Sequence, residues 1–162
     1  MSLESRYRIL MVCTGNTCRS PLAAAALAHA LGPDRERVSV SSAGTAAEDG
    51  SPATPESVDV AAAEGLELED HQARRLTADL AKDADLVIVM EPSHRGAVER
   101  LGVPAERVKV MSEWPEPGDP GLPVSDPFGG SLEAYEECWR RIQHHVRRIV
   151  PHVREALRAR SA

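Results

Sequence analysis

The sequence predicts an α/β fold: a four-stranded parallel sheet with helices on both faces, stacked as a three-layer sandwich. Three observations carry the prediction. Short apolar runs alternate with helix-prone stretches from end to end. The clearest run, Asp85–Met90 (DLVIVM), is almost continuously apolar, as a strand covered on both faces must be. At 162 residues and 42% hydrophobic content, the chain can build a core without metals or disulfides, and one domain over residues 1–162 is expected.

The first strand is Tyr7–Cys13 (YRILMVC). An Ala-rich helix follows over Pro21–Leu31, with Ser20 as its cap, Pro21 at the first position and Gly32-Pro33 as its stop. Val38–Ser42 reads as a second strand. In Thr54–Glu64, Val58, Ala61 and Ala62 share one side, which suits a helix ending at Gly65. Thr77 caps a short helix through Lys82, and Asp85–Met90 is the third strand. Ser93–Leu101 is a helix stopped by Gly102, and Val108–Met111 is the last strand. Glu113–Gly130 holds five prolines and four glycines, and a loop that long in a compact domain is usually functional. In the final helix Leu132, Tyr135, Trp139, Ile142, Val146, Ile149, Val153 and Leu157 recur at three- and four-residue steps, and Pro151 is expected to kink or break it.

The formal charge of -6 argues against a nucleic-acid binder. Residues 140–162 carry seven arginines and one glutamate, a stretch read first as a solvated helix face. No apolar run reaches the roughly 18 residues that cross a bilayer. MSLESRYRILMVC is too short and too charged for a secretory signal, so a cytoplasmic location with no membrane partner is expected. The three cysteines, Cys13, Cys18 and Cys138, are expected as reduced thiols, with Cys138 a structural one. The histidines show no metal-ligand spacing with the cysteines. No metal or cofactor is expected, and every histidine except His71 reads as a surface or packing residue.

Chemistry concentrates in Cys13-Thr14-Gly15-Asn16-Thr17-Cys18-Arg19-Ser20-Pro21, which joins the first strand to the first helix. A tight loop at the C-terminal end of a parallel strand, opening a helix, aims several backbone N–H groups at one spot and makes a cradle for phosphate. Gly15 permits a backbone conformation closed to most residues. Cys13 sits at the bottom of the cradle, where the N–H groups, the helix dipole and Arg19 are expected to lower its thiol pKa and leave a nucleophilic thiolate. The planar fork of Arg19 can grip two phosphoryl oxygens, and Ser20 can donate to the thiolate. A leaving group still needs a proton, and Asp126, in Ser125-Asp126-Pro127-Phe128-Gly129-Gly130, is the candidate acid. Taken alone, an Asp-Pro is more often a turn.

Together these segments resemble the low-molecular-weight protein tyrosine phosphatase family over nearly the whole chain. Ser42-Ala43-Gly44-Thr45, Ala84-Asp85-Leu86 through Met90, and Gly65 followed by His71 add to the likeness. The resemblance implies that family's sandwich fold and a metal-free, two-step reaction on phosphorylated protein substrates by a monomer or weak dimer. Cys13 takes the phosphoryl group while Asp126 acts as acid, and Asp126 then serves as base for the hydrolytic water. Thr14, Gly15 and Thr17 belong to the implied phosphate loop. Asn16, Ser20, Ser42 and His71 match the network that shapes it. Cys18 matches a second loop cysteine able to bond the nucleophile.

The loop CTGNTCRSP, and DPFGGS followed four residues on by Tyr135, resemble the protein-arginine-phosphatase branch. Tyrosine-specific members usually carry a large aliphatic residue in place of Thr17. A hydroxyl there could pair with a guanidinium, whose donors an isoleucine would leave unsatisfied. Ala46 stands where that branch carries an aromatic, leaving Phe128 and Trp114 to flank a substrate. The reading favours phosphoarginine and keeps phosphotyrosine as the alternative. Two other functions stay in view. An arsenate reductase needs a relay of further cysteines, and none lies between Cys18 and Cys138. A non-catalytic phosphate-binding module would be expected to have lost Cys13, Arg19 or Asp126.

Overall fold

The computed structural model describes residues 6–115 and 123–161. Four strands, β1 (Tyr7–Cys13), β2 (Val38–Gly44), β3 (Leu86–Val89) and β4 (Val108–Val110), form one sheet in the order β2-β1-β3-β4. All pairings are parallel. The register sets Cys13 beside Gly44, Val12 beside Val89, and Val89 beside Val110. The C-terminal ends of all four strands therefore meet along one edge, the edge where open parallel sheets hold ligands.

Alternation along the strands divides the core into two faces. Ile9, Met11, Leu86 and Ile88 pack with the first helix, α1 (Arg19–Ala30), and with α2 (Pro55–Ala62) and the long C-terminal helix. Leu10, Val12, Val87 and Val89 pack instead with Ala81 and Val98, contributed by α3 (Ala78–Asp83) and α4 (Pro92–Glu99). On α1, Leu22, Ala23, Ala26 and Leu27 face the core, and the small alanines let the helix lie close to the sheet. The C-terminal helix, α5 (Leu132–Ser161), buries Tyr135, Trp139, Ile142, Val146, Ile149, Val153 and Leu157, the stripe that its periodicity defines.

Some boundaries differ from expectation for physical reasons. Helix α1 starts at Arg19 rather than Pro21, and Ser20 is no cap, because its hydroxyl faces Cys13 and Ala43. Strand β2 runs on to Gly44 because its pairing with β1 continues as far as Cys13. Thr77 does cap α3, accepting from the Leu80 amide at 3.2 Å. Gly65 and Gly102 adopt φ of +77° and +96° just beyond α2 and α4, the left-handed turn that ends a helix. Helix α5 continues through Pro151. Pro151 lies on the exposed face, as does Arg147, so the carbonyl deprived of its donor looks toward water. Of the Pro-rich segment, residues 116–122 lie outside the described residues. Among the described residues, no helix is long and apolar enough to cross a membrane.

Candidate active site

Strand β1 ends on Cys13, and residues 14–18 turn the chain into α1. The left-handed turn falls on Asn16 and not on Gly15 as expected: Asn16 is fully buried at φ +56°, a conformation that asparagine tolerates better than most side chains. Four contacts hold it. Its Nδ2 donates to Ser20 Oγ at 2.8 Å and Ser42 Oγ at 2.9 Å, its Oδ1 accepts from the Arg74 amide at 2.9 Å, and its carbonyl lies 2.7 Å from His71 Nε2. Asn16, Ser20, Ser42 and His71 are thus brought together around the loop. Arg74, whose Nε also donates to the Ser42 carbonyl at 2.9 Å, was not anticipated.

Glycine at position 44 has a steric reason. A Cβ there would lie 2.5 Å from the Thr14 carbonyl oxygen and 2.9 Å from the Asn16 amide nitrogen. Gly44→Ala should push the loop off the end of β2, costing about 1–3 kcal/mol of stability. A thermal melt, paired with turnover of a small phosphoester, checks this; an unchanged melting point would contradict the close approach.

Cys13 Sγ lies 2.9 Å from Ser20 Oγ and accepts from the Asn16 amide at 3.3 Å. Because Asn16 Nδ2 donates into Ser20 Oγ, the Ser20 proton is free to turn toward sulfur. Burial nevertheless pushes the Cys13 thiol above its ordinary value, and Ser20, the Asn16 amide and Arg19 offset this only in part. The expected net lowering is therefore corrected: the loop supplies the thiolate's partners, but at a depth where desolvation outweighs them. The amides of Gly15, Thr17, Cys18 and Arg19 find no acceptor within the described protein. Thr14, Gly15, Thr17, Cys18 and Arg19, together with Cys13, Asp126 and Phe128, line a cavity of about 170 Å³. That space suits a phosphoryl group and its nearest atoms. A wider groove of about 560 Å³ behind the loop holds none of Cys13, Arg19 or Asp126.

Arg19 is 1% exposed, and its guanidinium lies between two carboxylates. NH1 donates to the Val124 carbonyl at 3.2 Å and sits 3.5 Å from Glu91 Oε1, while NH2 is 3.7 Å from Asp126 Oδ2. Asp126 is fixed through its other oxygen, which accepts from the Phe128 amide at 3.1 Å; the Asp-Pro turn and the candidate acid are one feature. Glu91 and His94 were missed. His94, read from sequence as surface or packing, is 4% exposed, with Nε2 2.9 Å from Thr14 Oγ1 and 3.4 Å from Glu91 Oε1. The available signal was their position just after a parallel strand, on the same edge as Cys13.

Cys18 is buried, with Tyr135 Oη 3.5 Å and Thr54 Oγ1 3.6 Å from its sulfur. Burial pushes Cys138 up to about 12, so it behaves as an inert core thiol. Trp114 packs against the core and tilts over His152 instead of lining the cavity. Ala46 is exposed, its amide donating to the Thr14 carbonyl at 2.9 Å. No group of three or more potential metal-ligating side chains occurs among the described residues.

The family model described as "Low molecular weight phosphotyrosine protein phosphatase" matches residues 8–160. The chain belongs to that family. It is 37% identical to the probable low molecular weight protein-tyrosine-phosphatase EpsP of Ralstonia nicotianae, over 90% of this chain and 95% of that one. It is 32% identical to a protein-arginine-phosphatase of Bacillus subtilis, over 91% and 97%. Among solved structures, the YwlE arginine phosphatase from Geobacillus stearothermophilus superposes with a TM-score of 0.80 at 31% identity, covering 93% of this chain and 94% of that one. The four-stranded parallel sheet is that of this phosphatase family, and the chain is a cysteine-dependent protein phosphatase. Both tyrosine and arginine phosphatases stand among its relatives.

Proposed function

We propose that this phosphatase acts in the cytoplasm on phosphorylated protein side chains and prefers phosphoarginine to phosphotyrosine. The Cys13 thiol passes its proton to an oxygen of the phosphate dianion, its sulfur attacks phosphorus, the bond to the leaving group breaks, and Asp126 gives that group a proton. The cysteinyl-phosphate is then hydrolysed by water, whose proton returns to Asp126, releasing phosphate and the thiolate. The free amides of the loop and the fork of Arg19 hold the equatorial oxygens throughout.

The preference rests on Thr17. Its half-buried side chain borders the cavity, with Oγ1 3.7 Å from Cys18 Sγ. The hydroxyl and the Asp126 carboxylate can both accept from a guanidinium, whose N–H groups would otherwise be buried unpaired. A second reading, phosphotyrosine, draws support from Phe128, which lines the same cavity while 68% exposed and offers a flat apolar surface to a phenyl ring.

The deciding assay compares kcat/KM on a phosphoarginine and a phosphotyrosine peptide for wild type and Thr17→Ile. Wild type should favour phosphoarginine, and Thr17→Ile should move the ratio toward phosphotyrosine by about tenfold or more, the scale of one hydrogen bond to a charged group. A wild-type preference for phosphotyrosine would leave the hydrolase reading intact and remove Thr17 as its determinant.

A further inference from the structure

Thr14 and His94 form a pair that the reaction outlined above does not use. His94 is almost fully buried, and its two ring nitrogens stand in unlike surroundings. Nε2 faces Thr14 Oγ1 at 2.9 Å and Glu91 Oε1 at 3.4 Å, whereas Nδ1 is buried with no partner. A hydrogen on Nδ1 would be a buried donor without an acceptor, which costs more than an unused lone pair. The ring is therefore the neutral tautomer with its hydrogen on Nε2. The charges around it agree. Burial and then the Arg19 guanidinium lower the His94 pKa, against an opposing pull from Glu91 and Asp126. The contact with Glu91 is accordingly a hydrogen bond's approach rather than an ion pair.

That tautomer has a consequence for Thr14. A threonine oxygen that accepts from Nε2–H cannot give its own hydrogen back along the same line. Thr14 is exposed and lines the cavity that holds Cys13 and Arg19, so its O–H is left to point there. We infer that His94 is a positioning residue that turns the Thr14 hydroxyl outward as an additional donor to a phosphoryl oxygen, beside the backbone amides of the loop. The inference rests on the phosphatase reading of this cavity, and it adds a side-chain donor to a cradle otherwise made of main chain and one arginine.

The test is direct binding of inorganic phosphate by calorimetry, which needs no turnover, run beside kcat/KM on p-nitrophenyl phosphate. Thr14→Val keeps the shape and removes the donor. It should weaken phosphate binding by about tenfold, as expected for a lost hydrogen bond to a charged group. His94→Leu should cause a similar loss. The double variant should be no worse than either single one, because both remove the same interaction. His94→Gln, whose amide can place an N–H near the Nε2 position, should recover most of the affinity. Unchanged phosphate affinity in Thr14→Val would overturn the proposal, as would losses that multiply in the double variant. Failure of His94→Gln to improve on His94→Leu would do the same. If the His94 variants do not fold, Thr14→Val still decides, since that side chain is exposed. If wild type turns over no phosphoester or phosphoamidate but loses phosphate affinity on Thr14→Val, the phosphatase reading fails and the donor stands.

Discussion

Cys13→Ser should lower steady-state turnover by about 10⁴- to 10⁶-fold, the scale seen when a catalytic nucleophile is removed, while inorganic phosphate still binds. The two halves of this expectation come from different atoms. Nucleophilicity resides in the sulfur alone, since a serine hydroxyl is far less acidic and the groups hydrogen-bonded at this position, Ser20 and the Asn16 amide, are not strong bases. Binding resides in the loop amides and in Arg19, held by Val124 and flanked by Glu91 and Asp126, none of which the substitution touches. Should a phosphoryl group reach the serine, the resulting ester has an alkoxide to expel instead of a thiolate, so each chain is phosphorylated at most once. Mass spectrometry after incubation with substrate, beside a phosphate-binding isotherm, reads both halves. Multiple turnovers at near wild-type rate would remove Cys13 from the mechanism, and loss of phosphate binding would place the sulfur in the cradle's structure.

Much of this site was legible because it is continuous in sequence. The run from Cys13 to Pro21 carries the candidate nucleophile, turn residues, arginine and helix start within nine positions, and an apolar strand before it sets the direction. The buried strands were legible for a related reason: with helices on both faces, β3 must be apolar at every position, and it is. Strand order was not, because any arrangement of four parallel buried strands shows the same pattern. Ser20 misled because a serine before a proline looks like a cap, whereas its hydroxyl is committed to sulfur across the turn. The thiol's pKa misled because sequence displays the charges near Cys13 but not its depth, and here depth decides the sign. Glu91 and His94 carry no local signature. Only the pairing of β3 with β1 sets the segment that follows β3 beside the loop that follows Cys13.

Asp126→Asn should separate leaving groups from one another. For a phosphotyrosine or phosphoarginine peptide, whose departing atom needs a proton, kcat should fall by about 10²- to 10⁴-fold, the usual worth of a positioned acid. For p-nitrophenyl phosphate, whose leaving group departs readily as an anion, the phosphorylation step should fall far less. The substitution is clean locally: asparagine keeps the Oδ1 that accepts from the Phe128 amide, so the turn survives. It also withdraws a negative charge 3.7 Å from Arg19 NH2, at the rim of a cavity that receives a phosphate dianion. Phosphate binding should therefore tighten as kcat falls, since repulsion is relieved in the bound state while the proton is lost from the transition state. This opposition distinguishes an acid from a structural prop. A disrupted loop would weaken binding and slow both classes of substrate alike, and equal slowing of activated and unactivated substrates would take the proton away from Asp126.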